Sequence, residues 1–80
     1  MNKELFVKFM KRNNDTQTSL AEAMGMTQSA INARINGKIE FRKNEINFIR
    51  KRWNLTDHET VEIFFIEVVS EEDTIIEKGA

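Results

Sequence analysis

The sequence predicts an all-α fold of five short helices, and three observations indicate it. Apolar residues recur at helical spacing in successive segments, as Leu20, Ala21 and Met24 do. Capping residues such as Thr27 and Thr56 stand immediately before these segments. The 80 residues include no proline, and the three glycines stand singly where a helix would end or near the last residue. Eighty residues suffice for one small domain with a thin core.

The first helix is predicted to begin at a cap on Asn2 and to run through about Asn13. Its apolar stripe consists of Leu5, Phe6, Phe9 and Met10. Asn13-Asn14-Asp15 is predicted to form a turn, after which Thr16 caps the second helix. Gly25 ends that helix, because glycine adopts the left-handed conformation most easily.

The third helix follows after a tight turn, with Thr27 as its cap. Ile31 and Ile35 are four residues apart and therefore form one inward face. Asn36-Gly37 ends the helix with residues that tolerate positive φ. The outward positions are Gln28, Ser29, Asn32 and Ala33.

Two further helices complete the fold. The fourth begins near Arg42 and runs to about Asn54, and its buried face consists of Ile46, Ile49 and Trp53. Phe41 precedes it as a core anchor in the loop. Thr56 and Glu59 form a capping box that opens the fifth helix. The apolar face of this last helix is predicted to consist of Val61, Phe64 and Phe65.

The net charge of −1 conceals an asymmetry along the chain. Residues 1–55 contain eleven lysines and arginines against five acids, whereas residues 56–80 contain one lysine against eight acids. A basic front part beside an acidic end favours a polyanion-binding module followed by a differently used tail.

Composition argues against several other classes of protein. The chain has no cysteine and a single histidine, His58, so neither a thiolate nor a multi-histidine metal site is expected. Its serines lack a histidine and aspartate relay, and no glycine-rich phosphate loop is present. The longest apolar run, residues 63–66, is too short for a membrane span. We therefore expect a cytoplasmic protein that is not an enzyme and that has no cofactor or small-molecule ligand.

The second and third helices with their turn resemble the helix-turn-helix of the lambda-repressor-like (Cro/XRE-type) family of phage and bacterial regulators. The matching residues are Gln17, Leu20-Ala21, Met24-Gly25, Gln28-Ser29, Ile31 and Asn36-Gly37. The flanking segments agree from about residue 4 to residue 66. The chain departs from the family at Arg34, where many members carry an apolar residue, and near Arg42, where a capping serine or threonine is common.

The resemblance implies that the third helix enters the major groove of DNA. Gln28 can exchange two hydrogen bonds with adenine, and the family pattern implies that Gln17 braces Gln28 and touches a phosphate. The expected base contacts are Gln28, Ser29, Asn32 and Ala33. The expected backbone contacts are Gln17, Arg34, Asn36, Lys38, Arg42, Lys43, Lys11 and Arg12. For Arg34, an ion pair with Glu22 or Glu40 is the alternative.

The chain is expected to divide into a DNA-binding domain, residues 1–66, and an acidic tail, residues 67–80. In the tail, Val68-Val69 and Ile75-Ile76 favour strand, whereas residues 70–73 favour a turn or a helix start. The apolar excess near this boundary predicts a homodimer interface of Phe65, Ile66, Val68 and Val69. Autoinhibition or fraying of the tail is the alternative.

The resulting prediction is a sequence-specific transcriptional regulator, a Cro-like repressor of a phage or mobile element. It would bind operator DNA as a homodimer and would be nucleoid-associated through that binding. The alternative is a protein-interaction module on the same scaffold, an antirepressor or adaptor that acts through the tail. Fold alone does not separate the two functions.

Overall fold

A computed structural model describes residues 1–66, and that part of the chain is all-α, as predicted. Its five helices are α1 (Lys3–Arg12), α2 (Gln17–Met24), α3 (Gln28–Ile35), α4 (Lys43–Arg52) and α5 (Asp57–Phe64). The predictions for the tail, including Val68 and Val69 in a dimer interface, lie outside the described residues.

The predicted caps start four of the helices. The Asn2 side chain accepts a hydrogen bond from the Leu5 N–H at 3.1 Å, and Thr16 and Thr27 act in the same way on α2 and α3. Thr56 with Glu59 forms the predicted capping box of α5. Each cap satisfies a backbone donor that the first helical turn leaves unpaired.

The fourth helix starts differently. Its N-cap residue is Arg42, whose side chain cannot accept a hydrogen bond from the first helical turn. Instead the Glu45 carboxylate accepts the Arg42 backbone N–H at 2.8 Å. The helix therefore begins at Lys43 without the serine or threonine that the family resemblance led us to expect.

The hydrophobic core lies between all five helices and is centred on Phe6. Its ring lies 5.5 Å from that of Phe41, 5.0 Å from that of Trp53 and 6.0 Å from that of Phe64. The fully buried aliphatic residues Leu20, Ile31, Ile49 and Ile63 surround this aromatic cluster. Burial of each such side chain stabilises the fold by about 1.5–3 kcal/mol.

The predicted apolar face of α5 was wrong at one position. Phe65 does not lie on the buried face of α5, since its side chain is 68% exposed, and Ile63 is fully buried in the core. Helix α5 ends at Phe64, and Phe65 turns the chain with φ +57°, so helical spacing no longer applies to it. The remaining buried position is taken by Thr60, whose hydroxyl donates to the Thr56 carbonyl at 2.8 Å.

A buried carboxylate joins the α1–α2 turn to the end of α4. Asp15 accepts two hydrogen bonds from Arg52, at 2.8 and 2.9 Å, and a third from the Trp53 indole at 2.6 Å. The Ser19 hydroxyl donates a fourth at 2.7 Å. The Arg52 hydrogen bonds, against the opposing effect of burial, hold the pKa of Asp15 far below its usual range. This turn is therefore an anchor of the fold as well as a connection.

None of the helices within residues 1–66 is long and apolar enough to cross a bilayer. The same part of the chain brings no three histidine, aspartate or glutamate side chains together as metal ligands.

Candidate nucleic-acid interface

The turn between α2 and α3 presents one side of α3 to solvent. Gly25 ends α2 in the left-handed conformation, with φ +68°, and Thr27 restarts the chain as the cap of α3. Ile31 and Ile35 are buried and hold α3 against the core, as predicted. The exposed side consists of Gln28, Ser29 and Asn32, here called the reading face, and Ala33 is half-buried beside it.

The brace on Gln28 differs from the one that the family resemblance implies. The Gln28 side-chain oxygen accepts a hydrogen bond from the Thr18 hydroxyl at 3.2 Å. Gln17, which was expected to brace Gln28, instead accepts from the Asn32 amide at 3.3 Å. Thr18 follows Gln17 directly in the first turn of α2. Its place in the sequence gave no sign that it, and not Gln17, would hold Gln28.

Amide side chains continue along α3 to its C-terminal end. Asn36 donates to the Asn32 side-chain oxygen and to the Asn32 carbonyl, both at 3.0 Å. The Asn36 side-chain oxygen in turn accepts from the Lys3 ammonium at 2.7 Å. Gln17, Asn32, Asn36 and Lys3 thus form one hydrogen-bonded series, here called the amide relay, that connects α2, α3 and α1.

Arg34 is held away from the reading face by an ion pair with Glu45. Its guanidinium donates to both carboxylate oxygens, at 3.0 and 3.2 Å, and also to the Ala30 carbonyl. The two side chains are only 10% and 12% exposed. Burial raises the pKa of Glu45, but the hydrogen bonds from Arg34 and the Arg42 backbone prevail and leave it lowered. The partners suggested from the sequence, Glu22 and Glu40, were wrong.

The other predicted phosphate contacts are exposed, except Gln17, which is half-buried. Within residues 1–66, only Arg34, Arg50 and Arg52 among the lysines and arginines lie within 4 Å of a carboxylate. The exposed cations of the predicted set that lie near no carboxylate of residues 1–66 are Lys11, Arg12, Lys38, Arg42 and Lys43. The Arg12 guanidinium also stacks 5.2 Å from the centre of the Phe9 ring. Positive charge that carboxylates do not neutralise is suited to attracting phosphates.

Sequence reasoning missed two residues of this surface, Thr18 and Lys3. Thr18 is separated from its partner by ten residues and Lys3 by 33. No local pattern predicts such pairs, because both depend on how separate helices pack.

Comparison with known proteins agrees with this geometry. Residues 8–46, from within α1 to the first turn of α4, match a family model described as Helix-turn-helix. Neither a curated protein nor a solved structure shows a significant match to the chain. The matched segment contains the whole of α2, α3 and their turn. Residues 8–46 therefore carry a helix-turn-helix of the lambda-repressor-like, Cro/C1 type, which is a motif of DNA-binding regulators.

Proposed function

We propose that this chain regulates transcription by binding operator DNA as a homodimer, with α3 as recognition helix in the major groove. A Cro-like repressor of a phage or mobile element is the proposed role. The observation that carries the proposal is the reading face, because Gln28, Ser29 and Asn32 are all exposed while Ile31 and Ile35 fix the opposite side of the helix in the core.

Gln28 is the proposed principal base contact. A glutamine amide can accept a hydrogen bond from adenine N6 and donate one to adenine N7. The hydrogen bond from Thr18 already limits the rotation of the Gln28 side chain, so DNA binding has less conformational freedom to remove. Ser29 can donate to or accept from several bases, and Asn32 lies one turn further along. Ala33 offers a methyl contact to thymine. Because Ala33 is half-buried, this contact requires the backbone of α3 to lie close to the base.

Phosphate contacts are proposed to supply most of the affinity. The proposed residues are Gln17, Asn36, Lys11, Arg12, Lys38, Arg42 and Lys43. Arg34 is left out of this set, because Glu45 neutralises its charge and occupies its donors. We assign Arg34 a positioning role between α3 and the start of α4.

The exposed apolar surface at the end of α5 supports the proposed dimer. Phe65 is 68% exposed and Ile39 is 48% exposed, and both border a groove whose floor includes Phe41, Phe64 and Ile66. One recognition helix reads only a few base pairs, so two copies on adjacent half-sites would provide useful specificity. Val68 and Val69 remain proposed members of this interface.

The decisive test of DNA recognition is a titration of the DNA upstream of the gene for this chain, across a series of salt concentrations. A sequence-specific regulator should bind that duplex at least about 10³-fold more tightly than a mixed-sequence duplex of equal length. Equal affinity for the two duplexes would contradict sequence-specific recognition. Binding to neither duplex would favour the alternative, a protein-interaction module that acts through the tail.

The dimer is tested by Phe65→Ala, with Phe48→Ala as matched control, because Phe48 is also a partly exposed phenylalanine but lies on α4. Sedimentation should show the first variant as a monomer and the second as a dimer. Truncation after Ile66 should also give monomers and weaken operator binding by the loss of bivalency. A truncated chain that binds more tightly at low salt would instead indicate an autoinhibitory tail.

A further inference from the structure

The amide relay contains one cation, Lys3, whose position at the end of the recognition helix was not expected. Its ammonium lies 2.7 Å from the Asn36 side-chain oxygen, although the two residues are 33 positions apart in the chain. Asn36 itself is fixed by two hydrogen bonds to Asn32. The lysine of α1 is therefore held at a defined place beside α3, whereas most exposed lysines explore many conformations.

No acidic residue within residues 1–66 neutralises the charge of Lys3. Its partner is a neutral amide oxygen, and within residues 1–66 no carboxylate lies within 4 Å of the Lys3 ammonium. An ammonium has three N–H donors, and the Asn36 oxygen uses one of them. As far as the described residues are concerned, two donors and a full positive charge remain for an acceptor that approaches from solvent.

The place where this charge is held is next to the proposed DNA contacts. Asn36 caps the C-terminal end of α3, and the exposed Lys38 follows two residues later. Asn32 connects the same relay to the reading face. A helix that presents Asn32 to base edges therefore brings the Lys3 ammonium along the same side of the duplex.

We propose that Lys3 is a further phosphate contact of this protein, positioned by Asn36 and contributed by α1 outside the helix-turn-helix. The proposal rests on the proposed DNA-binding function and adds one specific contact to it. A purely structural reading is that Lys3 only ties α1 to α3 and complements the negative end of the α3 dipole. The two readings differ in what removal of the charge does to the salt dependence of DNA binding.

The test measures the binding of a labelled mixed-sequence duplex at salt concentrations between about 50 and 200 mM. Lys3→Gln removes the charge but keeps an N–H donor for Asn36. Lys3→Arg keeps the charge. The matched control is Lys8→Gln, since Lys8 is an exposed lysine of α1 that lies five residues on, about 140° around the same helix.

If Lys3 contacts a phosphate, Lys3→Gln should make the slope of log K against log salt shallower by about 0.9. Lys3→Arg and Lys8→Gln should keep the slope of the native chain. An unchanged slope in Lys3→Gln, or an equal change in Lys8→Gln, would overturn the contact and leave the proposed function intact. A native chain that shows no salt-dependent binding at all would overturn both.

Discussion

Replacement of the buried carboxylate in Asp15→Asn should destabilise the domain more than any surface substitution. The carboxylate accepts four hydrogen bonds, from Arg52, Trp53 and Ser19, and its side chain is 5% exposed. An asparagine at this position would turn an NH₂ group toward these donors and leave the guanidinium without a counter-charge. Removal of one partner from a fully buried ion pair typically costs about 3–5 kcal/mol. Because Arg52 is 35% exposed and keeps part of its hydration, we expect a loss of about 2–4 kcal/mol here.

The pH dependence of stability provides a second signature of the same carboxylate. Its pKa is lower in the folded chain than in the unfolded chain, where an aspartate titrates near about 3.9. Its contribution is therefore complete above that unfolded pKa and is lost as the pH falls below it, toward the folded pKa. The difference in unfolding free energy between the native chain and Asp15→Asn should be constant above about pH 5 and should shrink toward pH 2. Glu45 also has a lowered pKa, but it is present in both proteins and cancels in the difference.

Urea denaturation followed by far-ultraviolet circular dichroism measures both effects. Tryptophan fluorescence is less suitable, because Trp53 is the sole tryptophan and donates directly to Asp15. The matched control is Asp57→Asn, since Asp57 also pairs with an arginine, Arg50, but is 60% exposed. An exposed pair of this kind should contribute less than about 1 kcal/mol. Equal losses in the two variants, or the same acid sensitivity in the native chain and Asp15→Asn, would refute the assigned role of Asp15.

Three further substitutions test the packing and the DNA contacts. Ile31→Ala should cost about 2–5 kcal/mol of unfolding free energy, because Ile31 is fully buried, and a measured loss below about 1 kcal/mol would mean that α3 faces the other way. Gln28→Ala should weaken binding to the cognate site by about 1–3 kcal/mol and relax preference at one adenine while mixed-sequence binding persists; equal losses on both duplexes would remove its role in base readout. Replacement of Lys38 or Lys43 by alanine should weaken binding to all duplexes alike and make the salt slope shallower by about 1, whereas an unchanged slope would assign that lysine to the solvated surface.

The sequence by itself determined the five helices and the buried sides of α1 to α4. Caps and apolar spacing are local properties, since a capping hydroxyl bonds three residues ahead and a helical face repeats every three or four residues. Thr16, Thr27 and Thr56 therefore marked helix starts correctly, and Ile31 and Ile35 marked the inward side of α3. The same spacing implied which side of α3 faces solvent, so the reading face could be predicted before the fold was known.

Local spacing failed where a helix stopped or where a polar residue was buried. Phe65 was assigned to the apolar face of α5 because the spacing continued, but the helix had already ended at Phe64. Thr60 was overlooked because a polar residue is not expected in the core. It can be buried because its hydroxyl donates to the Thr56 carbonyl one turn earlier.

Only the tertiary structure decided which polar side chains meet. Lys3 reaches Asn36, Arg34 reaches Glu45 in place of the two expected carboxylates, and Asp15 reaches Arg52, across separations of 33, 11 and 37 residues. A lysine, arginine or aspartate has the same local preferences whether solvent or a distant partner surrounds it, so its sequence neighbours contain no information about that partner. The packing of apolar faces fixes the helices relative to one another, and that packing brings these charges within hydrogen-bonding distance.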